Sequence, residues 1–91
     1  MSRAVRYLVQ GRVQGVGFRW FVSRTAQGLR LAGWVANLPG GDVEVVAAGD
    51  AGRLEEMEQA LKRGPPAAQV VRVDKTEYPH EAELGNSFEI R

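Results

Sequence analysis

The sequence contains no cysteine and a single histidine. The first absence excludes disulfides, thiol nucleophiles and cysteine-based zinc sites. The second leaves only His80 as an imidazole acid or base, and it sits beside Pro79 in a polar stretch, where a surface position is expected. No apolar run approaches the ~20 residues a membrane span needs, and nothing near Met1 has the build of a secretory leader. A cytoplasmic location without membrane partners is therefore expected. Neither sign of charge dominates, since 12 basic residues face 11 acidic ones for a net charge of +1. That balance lacks the broad basic field of a nucleic-acid binder and any acidic tail. The basic residues are ten arginines and two lysines. No linker, repeat or low-complexity segment divides the 91 residues, so one domain spanning 1–91 is expected, with a monomer as the default.

What the chain does have is a glycine cluster. Residues Gly11–Phe21 read Gly-Arg-Val-Gln-Gly-Val-Gly-Phe-Arg-Trp-Phe. They lie between a run with strand periodicity (Val5, Tyr7, Val9, with Val13 in phase) and one with helical periodicity (Phe18, Val22, Ala26, Leu29). Glycine adopts backbone angles closed to other residues, which lets several N–H groups converge on one point. At a helix N-terminus those amides and the helix dipole both favour an anion. Arg19 follows immediately, and its planar fork can grip two oxygens of one phosphate. The residues alone thus predict an anion cradle with an arginine clamp. The dinucleotide fingerprint fails for want of a third glycine after Gly15 and Gly17, and the nucleotide-triphosphate loop fails for want of Gly-Lys-Ser/Thr.

Elsewhere the periodicity predicts a helix over about Trp20–Leu31, with Gly28 and Gly33 punctuating its end. A second strand follows over about Trp34–Leu38, then a turn at Pro39-Gly40-Gly41-Asp42 and a third strand over Val43–Ala48. Asp50 is placed to cap a helix carrying Leu54, Met57 and Leu61, which Gly64-Pro65-Pro66 ends. Val71 and Val73 mark a fourth strand and Phe88 and Ile90 a short last one, with Pro79–Asn86 a loop between them. The order βαββαβ predicts an α+β, ferredoxin-like split βαβ sandwich: an antiparallel sheet with both helices on one face.

Gly-Arg-Val-Gln-Gly-Val-Gly-Phe-Arg resembles the signature of the acylphosphatase family, with Gly33-Trp34-Val35-Ala36-Asn37 as its companion. The resemblance runs over nearly the whole chain, to the Phe88-Glu89-Ile90-Arg91 tail. It implies hydrolysis of small acyl phosphates to a carboxylate and inorganic phosphate, with no metal and no cofactor. The phosphoryl group would be held by Gln14, Gly15, Val16, Gly17, Phe18 and Arg19. Inorganic phosphate would be product and inhibitor. The family's matching asparagine orients the attacking water, a role that falls on Asn37. Gln14 is expected to supply its backbone amide and some loop rigidity. Phe18, Val22 and Leu29 are expected in the core, while Trp20 lies off their stripe and either flanks the site or covers the sheet edge. One departure stands out: the family's usual Asn-x-x-Asp-Gly-x-Val has glycine, Gly40, at its aspartate.

Two alternatives from other classes remain, and an RNA-recognition module even shares this strand and helix order. An RNA-recognition module would carry base-stacking aromatics on its third strand, and Val43-Glu44-Val45-Val46-Ala47-Ala48 has none. A non-catalytic acyl-phosphate-binding module, of the kind found within larger carbamoyl-transfer proteins, differs from an enzyme only in turnover.

Overall fold

The computed structural model describes residues 2–91. Strand β1 (Arg3–Arg12) is followed by helix α1 (Phe18–Gly28), strands β2 (Ala32–Asn37) and β3 (Val43–Gly49), and helix α2 (Ala51–Arg63). Strand β4 (Gln69–Glu77), a short 3-10 turn (Glu81–Glu83) and strand β5 (Phe88–Ile90) complete the chain. The sheet order is β4-β1-β3-β2-β5. β1 runs antiparallel to β3 and β4, and β2 antiparallel to β3. The expected split βαβ sandwich is thus present, with one modification: β5 pairs with β2 in parallel, which makes the sheet mixed.

Both helices cover the same face. Val5, Tyr7 and Val9 of β1, Val35 of β2, and Val43, Val45 and Ala47 of β3 bury against Phe18, Val22 and Ala26 of α1. Leu54, Met57 and Leu61 of α2 complete the same core. Alternate strand residues point one way, so period-two apolar runs deliver one continuous surface for two amphipathic helices. Tyr7 is fully buried, and its hydroxyl donates to the Leu54 carbonyl at 3.0 Å. Burial, with Glu58 and Glu55 nearby, pushes that phenol above its ordinary range and keeps it a neutral donor.

α2 is capped as its sequence predicts. The Asp50 carboxylate accepts from Arg53 N–H at 2.9 Å, and Gly64 N–H closes the other end on Ala60 O at 2.8 Å. α1 departs from expectation at both ends. It begins at Phe18, because Gly17 in the left-handed region (φ 78°) serves as its N-cap. It ends at Gly28 in a Schellman closure, with Leu31 N–H on Ala26 O and Arg30 N–H on Gln27 O. The left-handed residue there is Arg30 (φ 56°), not a glycine. In β4, Val73 packs against the core but Val71 is 77% exposed. The ladder slips between Gln10 and Gly11, where Arg72 and then Val70 are the partners, and Val71 is the residue passed over. None of the helices among the described residues is long and apolar enough to cross a membrane.

Candidate active site

The glycine-rich turn leaves β1 at one end of the sheet and enters α1 through two left-handed glycines, Gly15 (φ 75°) and Gly17 (φ 78°). A Cβ built on either would meet nothing within 4 Å. Packing therefore does not require glycine at these positions; backbone handedness does, and the space over the turn stays open. No side chain caps α1 and its first turn holds no acidic residue. Phe21 N–H, on Gly17 O at 3.0 Å, is the first amide after the turn to find a backbone acceptor. Among the described residues, those of Gln14 to Trp20 donate to no backbone acceptor. Positive backbone potential and open space thus coincide.

A cleft of about 210 Å³ lies over this turn, lined by Gly15, Gly17, Phe18, Arg19, Trp20, Asn37 and Ile90. Phe18 contributes backbone, since its ring is buried in the core and meets Phe21 edge-on. Arg19 is exposed, and its Nη1 donates to the Arg91 backbone oxygen at 3.1 Å. It forms no ion pair among the described residues. That one acceptor orients the guanidinium at the cleft.

Asn37 ends β2 opposite Val43 of β3. Its side-chain amide has no protein partner among the described residues and borders the same cleft as Arg19, although the two are distant in sequence. What holds these halves together is Gln14. Its Nε2 donates to both Leu38 O and Asp42 O, each at 2.8 Å, just beyond Asn37. Leu38 N–H also donates to Asp42 O at 2.8 Å, so one side chain ties the glycine-rich turn to the neck of the β2–β3 hairpin. The hairpin turn itself uses two successive left-handed residues, Gly40 (φ 95°) and Gly41 (φ 111°).

Of the residues singled out from the sequence, Gly15, Gly17, Phe18, Arg19 and Asn37 meet at this cleft. Val16 turns away and packs on the core, while Gln14 acts from behind the turn. His80 is exposed, stacks edge-on against Tyr78 and is not part of the cleft. Trp20 flanks the cleft, which decides between its two expected positions. Ile90 and the Arg91 backbone were not anticipated. They arrive through the parallel β5–β2 pairing, which no local pattern signals.

Comparison with known proteins is consistent across sequence and fold. A family model described as Acylphosphatase matches residues 5–90. An acylphosphatase of Koribacter versatilis is 51% identical over 85 residues, covering 93% of this chain and 76% of its own. The crystal structure of acylphosphatase from Bacillus subtilis superposes with a TM-score of 0.92 at 40% identity, covering 100% of this chain and 99% of its own. Full-length HypF in its phosphate- and nucleotide-bound form is similar too, with a TM-score of 0.89 at 29% identity. That likeness covers 100% of this chain but 12% of HypF.

Proposed function

The chain belongs to the acylphosphatase family and is an enzyme acting on acyl phosphates, and from that premise we propose how its residues perform the hydrolysis. The amides of Gln14 to Arg19 and the Arg19 guanidinium hold the three phosphoryl oxygens. The Asn37 side chain places a water in line with the scissile bond. The water oxygen attacks phosphorus, the bond from phosphorus to the acyl oxygen breaks, and the carboxylate leaves with the bonding pair. The attacking water's proton passes to a phosphoryl oxygen, so the products are a carboxylate and inorganic phosphate. A carboxylate is a stable anion and needs no acid to protonate it as it departs. Positioning and charge stabilisation are what remain to be supplied, and they dominate phosphoryl transfer.

The observation that carries this reading is the meeting, in one cleft, of free amides, an exposed arginine paired with no acidic side chain and an unpartnered asparagine amide. The test is hydrolysis of acetyl phosphate with inorganic phosphate titrated in and a chelator present. Phosphate is expected to raise the apparent KM and leave the maximal rate intact, because product and substrate share the cradle. Inhibition that lowers only the maximal rate would put the phosphoryl site elsewhere, and binding without turnover would make the chain a binding module.

Gln14 enters as a positioning residue. Removing its side chain deletes two hydrogen bonds to carbonyls that each keep another donor, Gly41 N–H for Leu38 and Leu38 N–H for Asp42. The stability loss for Gln14→Ala is accordingly modest, about 1 kcal/mol, since no acceptor is orphaned. That corresponds to a fall of about 4–8 °C in Tm for a domain of this size. Turnover is expected to fall further, by about tenfold, because Asn37 is no longer fixed relative to the cradle. Thermal melts beside steady-state kinetics check this, and a wild-type kcat in Gln14→Ala would remove the tie from the mechanism.

A further inference from the structure

Among the described residues, three large hydrophobic side chains are exposed: Trp20 at 61%, Ile90 at 48% and Val71 at 77%. Val71 lies on the outer edge strand β4, away from the site. The other two line the one cleft that holds Arg19 and Asn37. They reach it from unrelated elements. Trp20 is the third residue of α1 and follows Arg19 directly. Ile90 sits in β5 opposite Val35 of β2, and Val35 packs in the core under α1. Residues paired across a parallel ladder share a face, so Ile90 lies on the side of the sheet that carries α1.

Scattered exposed hydrophobics call for no explanation, but two converging on a polar cleft do. The cradle itself uses backbone and charge, and neither side chain has a part in it. The indole is also restrained: the Arg24 guanidinium lies over its ring, 4.7 Å from the centroid, one helical turn along. Trp20 also lines a second, shallow depression along α1 with Phe21, Arg24 and Thr25. An acyl phosphate has two ends. With its phosphoryl end in the cradle, its acyl end must emerge past the cleft walls, and the large apolar surface there belongs to Trp20 and Ile90.

We propose that Trp20 is the specificity-determining residue for the acyl group, with Ile90 as a second apolar wall. The enzyme then favours acyl phosphates whose acyl part is flat and apolar, aromatic ones above all. This rests on the function proposed above and extends it to the leaving group. A planar acyl group can lie against the indole at a stacking distance, while an acetyl group is too small to gain much from it. Because the ring is already held by Arg24, little side-chain freedom is lost on binding.

The test compares benzoyl phosphate with acetyl phosphate on the wild-type protein and on Trp20→Ala, Trp20→Phe and Ile90→Ala. Trp20 is exposed, so circular dichroism should match the wild type. In Trp20→Ala the KM for benzoyl phosphate is expected to rise about tenfold more than that for acetyl phosphate, the scale of one lost apolar contact. The kcat for benzoyl phosphate should hold, because a contact made equally in ground and transition states appears in KM. Trp20→Phe should recover most of the loss, and Ile90→Ala should show the same selectivity at smaller size. The inhibition constant of inorganic phosphate, which has no acyl end, should stay within about twofold in Trp20→Ala. Parallel losses for both substrates, or weakened phosphate inhibition in Trp20→Ala, would overturn the acyl site and leave the phosphoryl cradle standing. A wild-type protein that hydrolyses neither substrate would instead overturn the proposed function, and the acyl site with it.

Discussion

Arg19→Ala is expected to lose phosphate binding and turnover together, whereas Asn37→Ala loses turnover and keeps phosphate. The difference follows from what each side chain faces. Arg19 brings a full charge into a cleft lined by no acidic side chain, and its protein partner is the Arg91 backbone oxygen at 3.1 Å. A charge-assisted pair with a phosphoryl oxygen is worth roughly 1.5–3 kcal/mol, or about 10- to 100-fold in phosphate affinity. The transition state carries more charge on those oxygens, so the effect on turnover is larger, roughly 10³-fold. Arg19→Lys should recover little, because a point charge on a flexible stem cannot reproduce a planar fork held in place by Arg91. Asn37 is neutral and touches water, not phosphate, in this scheme. Its removal should cost roughly 10²-fold in turnover or more and leave phosphate affinity nearly intact. Calorimetric titration with phosphate beside acetyl phosphate kinetics separates the two. Normal turnover in either alanine variant would refute the division of labour.

Local patterns in the chain announce most of its elements. The Val5, Tyr7, Val9 alternation, the Asp50 cap and the Gly64 stop each act within a few residues, so each is written where it operates. The cradle is legible for the same reason, since Gly15, Gly17 and Arg19 are near neighbours. Asn37 is different: on its own it reads as a turn residue, and its role in the site came from family resemblance. What brings it to the cleft is a sheet register and the reach of Gln14 across to Leu38 and Asp42. Long-range pairings also account for what was missed. β5 is three residues long, and its parallel partner β2 is far away in the chain, yet that pairing delivers Ile90 and Arg91 to the site. Val71 reads as part of an alternating strand until the slip beside Gly11 passes it over. The end of α1 could not be placed from glycine, because Arg30 takes the left-handed position.

Gly33→Ala is expected to be the most damaging single-methyl change in the protein, and to act through the fold. Gly33 is buried in β2 between two strands, opposite Ala47 of β3 on one side and Phe88 of β5 on the other. Its N–H donates to Ser87 O at 3.0 Å, and its φ of 136° lies where side chains are rarely tolerated. A Cβ there would stand 1.9 Å from Val46 O and 2.8 Å from Val46 C. Both are backbone atoms of β3 and cannot rotate away, so relief requires parting β2 from β3. That strand pair carries Val35 into the core and ends in Asn37. A loss above about 4 kcal/mol is expected, the range reserved for broken backbone or core geometry, and it is a large share of the 5–15 kcal/mol typical of a small domain. Gly15→Ala is the matched control. Its Cβ would meet nothing within 4 Å, so the cost is that of a left-handed alanine, roughly 1–2 kcal/mol. Gly15 lines the cleft and its left-handed φ sets the course of the turn, so Gly15→Ala should stay folded while its inhibition by phosphate weakens. Urea midpoints and phosphate inhibition, measured on both variants, place the two glycines in different roles. A Gly33→Ala protein with the wild-type midpoint would show that β2 and β3 can separate without cost, and would remove the physical reason for glycine at this position.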